Sequence, residues 1–225
     1  ERLDAPEQRA RIRQAIITNI LENRGGGDPK NIFLASCKEP GLTGKNLAQI
    51  AVERKLEPTA ENAADIAIEI QKKGGCSAVY HAISEDDIAR IMAYPFTMVA
   101  SDGGIPTFGE DVPHPRSYGA FARVLGRYVR EKKMLTLEDA VRRMSSLPAQ
   151  RLKLFDRGLL RPGMKADIVV FDPEKIVDKA EFLHPHQYAE GVRHVLVNGQ
   201  VVLQDARMTK ALPGRVLYGP GWQGR

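Results

Sequence analysis

Apolar positions recur along this chain with two different periods. In residues 4–23, Ile12, Ile16 and Ile20 fall every four positions and form one stripe of a helix. Asp4 is placed to cap that helix, and Pro6 suits its first turn. Gly25-Gly26-Gly27-Asp28-Pro29 breaks the pattern, and the apolar run Asn31–Cys37 predicts a short strand. A short helix is predicted over Thr43–Arg54. A longer one is predicted over 58–73, with Pro58 near its start and Gly74-Gly75 past its end. Cys76–Ala82 is β-rich. Ser84-Glu85-Asp86-Asp87 reads as a capping box with Asp in place of Glu, opening a helix that stops before Pro95. Thr97–Ser101 predicts a buried strand. Strand, helix and strand in such close order predict a parallel βα unit.

Beyond that point an amphipathic helix is predicted over about Tyr118–Lys132, and Thr136 caps a further helix ending near Pro148. After Gly158 the texture changes to strands. Lys165–Asp172 is one strand, while Val192–Val197 and Gln200–Leu203 flank Asn198-Gly199, a strong hairpin signal. The tail is therefore predicted to be a small antiparallel module.

The 225 residues suffice for one large domain, or a domain with a smaller companion, around a sizeable core. At 43% hydrophobic and 27% charged, the composition is that of a soluble globular protein. No apolar run approaches a membrane span and no secretory signal is visible, so no membrane partner is expected. The chain opens on Glu1 rather than Met, the start expected of a processed chain or a chosen fragment. Cys37 and Cys76 lie far apart without metal-ligand spacing, and read as reduced, buried thiols of a cytoplasmic protein. A net charge of +5 raises the question of nucleic acid. The basic positions Arg123, Arg127 and Arg130, followed by Lys132 and Lys133, share a helical face. Without an aromatic platform or a nucleic-acid motif they read as a solvated surface. Nucleic acid is not the expected partner, and an anionic small substrate fits the charge equally well.

The candidate chemistry centres on Ser101-Asp102-Gly103-Gly104. A carboxylate at the C-terminal end of a strand is where barrel enzymes place reacting groups, and glycines after it let the backbone turn and a ligand approach. A metal hydrolase needs such a carboxylate to move a proton from water to a leaving nitrogen. Fourteen positions on, Pro113 and Pro115 stiffen a loop presenting Arg116, whose planar guanidinium suits a substrate carboxylate. An ion pair that pins the loop explains Arg116 equally well. His114 and Tyr118 are weaker candidates on the same loop. His81, ending the Cys76–Ala82 strand, suits substrate contact better than catalysis. Gly41-Leu-Thr-Gly44-Lys45-Asn46 is too short and lacks the hydroxyl residue of a phosphate loop.

From about Gly75 to Gly219 the chain resembles the C-terminal half of N-acyl-D-amino-acid deacylases (D-aminoacylases), of the amidohydrolase superfamily. The resemblance is carried by Ser101-Asp102-Gly103, His114-Pro115-Arg116-Ser117-Tyr118-Gly119, Thr136-Leu-Glu-Asp-Ala140 and Ser146-Leu147-Pro148-Ala149-Gln150-Arg151. It continues through Arg161-Pro162-Gly163-Met-Lys165-Ala166-Asp167, His184-Pro185-His186-Gln187-Tyr188 and Val197-Asn198-Gly199. It implies an α/β fold: the C-terminal part of a metal-dependent (β/α)8 barrel with a helical insertion over 1–157, plus strands of a small β-sandwich over 158–225. Cys76–Ala82 would be the seventh barrel strand, and Asp102 would close the eighth. The implied activity is zinc-dependent hydrolysis of an N-acyl-D-amino acid to a carboxylate and a free D-amino acid. Asp102 would activate zinc-bound water, protonate the departing amine and touch the metal weakly. Arg116 would hold the α-carboxylate, with Ser101, His81 and Tyr118 lining the substrate. The family's His-X-His pair and further ligands have no counterpart here, and His184-Pro185-His186 reads as structural. The main zinc ligands are therefore expected outside this chain, in an N-terminal half that is a second chain or a separate segment. A cyclic amidase such as a hydantoinase or dihydroorotase is the nearest alternative. A non-catalytic scaffold or oligomerisation module is the alternative of another class.

Overall fold

The computed structural model describes residues 2–224. Two compact units divide it. The first runs to Asp87 and takes in Gly109–His114 and Phe182–His184; the second holds Ile88–Phe108, Pro115–Glu181 and the chain from Pro185 onward.

In the first unit, α1 (Pro6–Glu22) starts on Pro6 and buries Ile17 and Ile20. Asp4 does not cap it. Its carboxylate instead meets Lys72 Nζ at 2.7 Å, an interaction that draws the carboxyl down to about 2. β1 (Ile32–Cys37) is followed by α2 (Leu47–Glu53), where Asn46 and Gln49 cap each other reciprocally. α3 (Ala60–Lys72) is capped by the Thr59 hydroxyl and turns Ala60, Ala63, Ala64, Ile66, Ile68 and Ile70 inward. Arg13 of α1 makes a two-pronged ion pair with Asp65 of α3, at 2.9 and 3.0 Å. β2 (Cys76–Tyr80) then returns along β1.

That pairing is antiparallel. Ile32 faces Tyr80 and Cys37 faces Cys76, with a bulge between Leu34 and Ser36. The two cysteines are not free thiols but a disulfide, so the argument for a cytoplasmic location from reduced cysteines lapses. Opposed positions on neighbouring strands are within disulfide reach, a proximity that a sequence separation of 39 hides.

α4 (Glu85–Ala93), opened by the Ser84 hydroxyl as predicted, leads into the second unit. Thr97–Ser101 forms neither strand nor helix and joins no ladder, so the predicted parallel βα unit is not formed here; the Val99 N–H donates to the Arg143 carbonyl at 3.2 Å instead. An apolar run makes a strand only where a partner edge exists, and none lies beside this one among the described residues. α5 (Arg116–Arg123) begins earlier than predicted and widens into π-helical turns over Val124–Glu131. α6 (Leu137–Met144) is capped by Thr136, and α7 (Ser146–Arg151) follows after a break at Ser145. Ala122, Val124, Leu125, Tyr128, Ala140 and Ile176 form this unit's core. The segment around Ile176 lies so close that a Cβ on Gly126 would meet the Ile176 carbonyl oxygen at 2.6 Å. Arg123 pairs with Asp178 at 2.9 Å, and Arg130 donates to the Ile176 and Pro173 carbonyls at 2.6 and 3.1 Å. Arg123 and Arg130 of the predicted basic face are therefore engaged internally. β3 (Ile168–Phe171), β4 (Val192–Val197), β5 (Gln200–Gln204) and β6 (Arg207–Met208) form one antiparallel sheet in that order, with the hairpin at Asn198-Gly199 as predicted.

Candidate active site

The Asp102 loop is built against the first turn of α5. Asp102 has φ +47°, so the chain turns left-handed at the aspartate itself rather than at the glycines after it. Gly103 serves a different purpose. A Cβ there would stand 2.9 Å from Ser117 Cα and 3.3 Å from the Arg116 carbonyl oxygen, so only glycine lets the loop lie this close. Two serines hold it: Ser101 Oγ accepts from the Gly103 N–H at 3.3 Å, and Ser117 Oγ accepts from the Gly104 N–H at 3.2 Å.

This places Arg116 Nη2 at 2.8 Å from Asp102 Oδ2. The carboxylate side chain is 83% exposed, so the pair adds little stability, about 0–1 kcal/mol. Geometrically, an open carboxylate and a guanidinium meet at one point. A guanidinium carries five N–H donors, enough to hold Asp102 and a second carboxylate together. Of the two readings of Arg116, the loop-pinning ion pair is the one realised in the free chain.

Tyr118, two residues along α5, turns its hydroxyl to His186 Nδ1 at 2.8 Å. Phe108 lies edge-on to the Tyr118 ring at 6.2 Å and stacks on Tyr188 at 5.1 Å. Burial raises the Tyr118 hydroxyl above its ordinary value, helped by the neighbouring Tyr188. The hydrogen bond to His186 and the ring contacts with Phe108 and Tyr188 anchor Tyr118 at the helix start. His81 belongs to the first unit. Its N–H donates to the Asn31 carbonyl at 2.9 Å, and its ring lies edge-on to Phe33 and Phe182 at 5.2 and 4.8 Å. His114 is also of the first unit and meets Phe182 edge-on at 5.2 Å.

Arg142 and Arg143 are residues the sequence did not single out. The Arg143 side chain is 4% exposed; Nε donates to Asp139 at 2.7 Å, and Nη1 donates to the Met92 and Tyr94 carbonyls, both at 2.8 Å. Arg142 bonds the other Asp139 oxygen at 2.9 Å and the Pro95 carbonyl at 2.7 Å. These arginines close the unsatisfied end of α4 and fix the start of the segment that delivers Asp102. Only the adjacent acidic cap at Thr136-Leu-Glu-Asp139 hinted at them.

Among the described residues, no group of three or more His, Cys, Asp or Glu side chains is placed to hold a metal ion. A catalytic zinc takes three protein ligands and an open position, and Asp102 with an arginine beside it does not supply them. The described residues therefore do not fit a zinc site by themselves. Two apolar cavities are lined by other residues. One of about 440 Å³ sits among α1, α3 and the β1–β2 sheet, and one of about 800 Å³ sits among α5, α6 and β3.

The amidohydrolase family pattern matches residues 44–203. The chain belongs to the amidohydrolase family. It is 42% identical over 182 residues to a D-aminoacylase of Alcaligenes xylosoxydans, a match covering 80% of this chain and 35% of that protein. An N-acyl-D-glutamate deacylase of the same organism is 41% identical, over 81% of this chain and 35% of its own length. A shorter match, 34% over 96 residues, links the chain to a dihydroorotase of Lactobacillus acidophilus. Among solved structures, the D-aminoacylase variant D366A with copper chloride is 38% identical, with a TM-score of 0.69 over 83% of this chain and 37% of that one. The N-acyl-D-glutamate deacylase of Bordetella bronchiseptica was solved with zinc and a phosphonate mimic of the tetrahedral intermediate. It is 38% identical, with a TM-score of 0.63 over 82% of this chain and 38% of that one. The chain thus spans about a third of the length of the curated relatives it matches.

Proposed function

We propose that this chain is the C-terminal part of an N-acyl-D-amino-acid deacylase, bearing its proton-transfer carboxylate and its substrate-carboxylate clamp. The observation that carries this reading is the Asp102–Arg116 pair, held on a glycine-tight loop within the family match. Asp102 accepts the proton of the attacking water and returns it to the leaving amine nitrogen, so that an amide becomes a carboxylate and a free D-amino acid. Arg116 takes the α-carboxylate, and Ser101 and Tyr118 line the substrate beside it while holding the loop and the first turn of α5 in place. His81 contacts the substrate from the end of β2. The barrel contribution runs over 1–157, with its seventh and eighth strands at Cys76–Ala82 and Thr97–Ser101; the sandwich contribution runs over 158–225. The unladdered state of Thr97–Ser101 and the open surface around Asp102 fit a fold completed by further polypeptide. That polypeptide also supplies the zinc ligands not found among the described residues.

The first experiment is to purify the protein under native conditions from its source and measure the denatured mass of every polypeptide present, with metal content. A preparation that holds the remaining two-thirds of the family length and zinc is expected to hydrolyse N-acyl-D-amino acids. Absence of that hydrolysis in such a preparation overturns the proposal. The dihydroorotase match favours a cyclic amidase as the second reading, and cyclic amides in the same substrate panel decide between the two.

A further inference from the structure

β2 has a weak hold on its own unit. β1 sends Ile32, Leu34 and Ala35 into the core, whereas no residue of β2 is fully buried. Gly74 and Gly75 turn the chain from α3 into β2 with φ +107° and +78°, and the Gly75 N–H donates to the Ile70 carbonyl at 2.9 Å, so α3 holds the start of β2 and not its far end. A two-stranded sheet is marginal by itself, and the bulge at Ala35 interrupts the only ladder β2 has. What remains is the Cys37–Cys76 disulfide at one end of that ladder. At the other end, one residue past Tyr80, stands His81, pinned by its N–H to Asn31 and by the Phe33 and Phe182 rings. Both cysteines are only partly buried, so a small thiol can reach them.

We propose that Cys37–Cys76 is a redox-sensitive clamp that sets the order of β2 and, through it, the position of His81. Oxidised, the bridge fixes the register of the strand pair; reduced, it leaves β2 held by its ladder bonds, the partial burial of Cys76 and Ala78, and the His81 contacts. The exchange partner is a dithiol. One thiolate attacks a bridge sulfur to give a mixed disulfide, and the second thiol resolves it. The partner leaves as a disulfide, and its two protons end on Cys37 and Cys76. The consequence for substrate contact at His81 rests on the function proposed above; the clamp itself does not.

The test compares amide hydrogen exchange of the whole chain oxidised with glutathione disulfide, reduced with dithiothreitol, and as C37S/C76S. Intact mass first establishes the bridge by a difference of two hydrogens. Reduction is expected to speed exchange at Val79 and His81, whose N–H groups face β1, by roughly two to three orders of magnitude, the scale of a disulfide closing a loop of this length. C37S/C76S should match the reduced form, while Val195 and Leu203 in the other unit should not change. If the double variant fails to fold, the reduced natural chain carries the comparison. Two free thiols after oxidation, or equal exchange at His81 in both states, overturns the clamp. Neither result depends on deacylase activity, so failure of the clamp is distinguishable from failure of the proposed function.

Discussion

Replacing Arg143 by Met removes a buried cation while keeping most of the apolar stem that fills its place. Three hydrogen bonds disappear: one to Asp139 at 2.7 Å and one each to the Met92 and Tyr94 carbonyls at 2.8 Å. Hydrogen bonds to charged groups contribute about 1.5–3 kcal/mol each, but the three share one guanidinium and do not add independently. Asp139 keeps Arg142, whereas the two carbonyls at the end of α4 lose this partner inside the fold. Because the carboxylate keeps a partner, the loss expected for the second unit is that of the charged hydrogen bonds to the two carbonyls, about 2–3 kcal/mol. Urea unfolding, followed by amide exchange at Ala140 and Tyr128, should show the midpoint falling by more than about 1 M. Arg143→Lys should recover only part of the loss, because an ammonium lacks the fork that spans both carbonyls and the carboxylate. A loss below about 1 kcal/mol for Arg143→Met refutes the reasoning. The same contact predicts acid sensitivity. Burial pushes the Asp139 carboxyl up, but hydrogen bonds from Arg142 and Arg143 outweigh this and hold it below its ordinary value. A carboxyl lowered on folding stabilises above its unfolded value, near pH 4, and that contribution fades as pH falls through the folded value. Arg143→Met should flatten this part of the stability–pH curve.

Gly103→Ala forces a Cβ to 2.9 Å from Ser117 Cα, and overpacking of this kind costs about 1–3 kcal/mol locally. In the assembled enzyme, kcat should fall by one to two orders of magnitude while the unfolding midpoint moves little, and an unchanged kcat removes the loop contact from the mechanism. Asp102→Asn should abolish turnover with no change in unfolding, since the side chain is largely exposed; retained turnover dismisses Asp102 as the proton carrier. Arg116→Ala should raise KM for N-acyl-D-amino acids more than it lowers kcat, and an unaltered KM dismisses the clamp. Thr136→Ala should cost about 1 kcal/mol of stability through loss of the hydroxyl that accepts from the Asp139 N–H.

Local chemistry was legible in the sequence, and pairing across distance was not. Thr136 and Ser84 announce helix starts because a hydroxyl bonds an N–H three residues on, and Asn198-Gly199 announces a hairpin because its backbone demand is met within two residues. The partner of Cys76 lies 39 residues away and depends on a bulged antiparallel register that no periodicity reports. Thr97–Ser101 has the apolar texture of a strand, but texture does not supply a neighbouring edge. Arg143 looks like a surface residue beside Arg142, and only the carbonyls at the end of α4 explain its burial. At the candidate site, the sequence picked out Asp102 and Arg116 and held an ion pair among the roles of Arg116. It assigned the sharp turn to the glycines, whereas the aspartate makes it. His81 and Tyr118 were placed by their elements, but their aromatic neighbours come from segments remote in the chain.

That left-handed turn governs how position 102 can be interrogated. At φ +47°, asparagine is tolerated almost as well as aspartate, while alanine and glutamate pay a backbone penalty before any proton is moved. An inactive alanine variant therefore mixes a displaced loop with a missing carboxylate. Asparagine keeps the shape and removes only the charge. The substitutions able to survive at this position in natural variation are correspondingly few, and for reasons of shape as much as of chemistry.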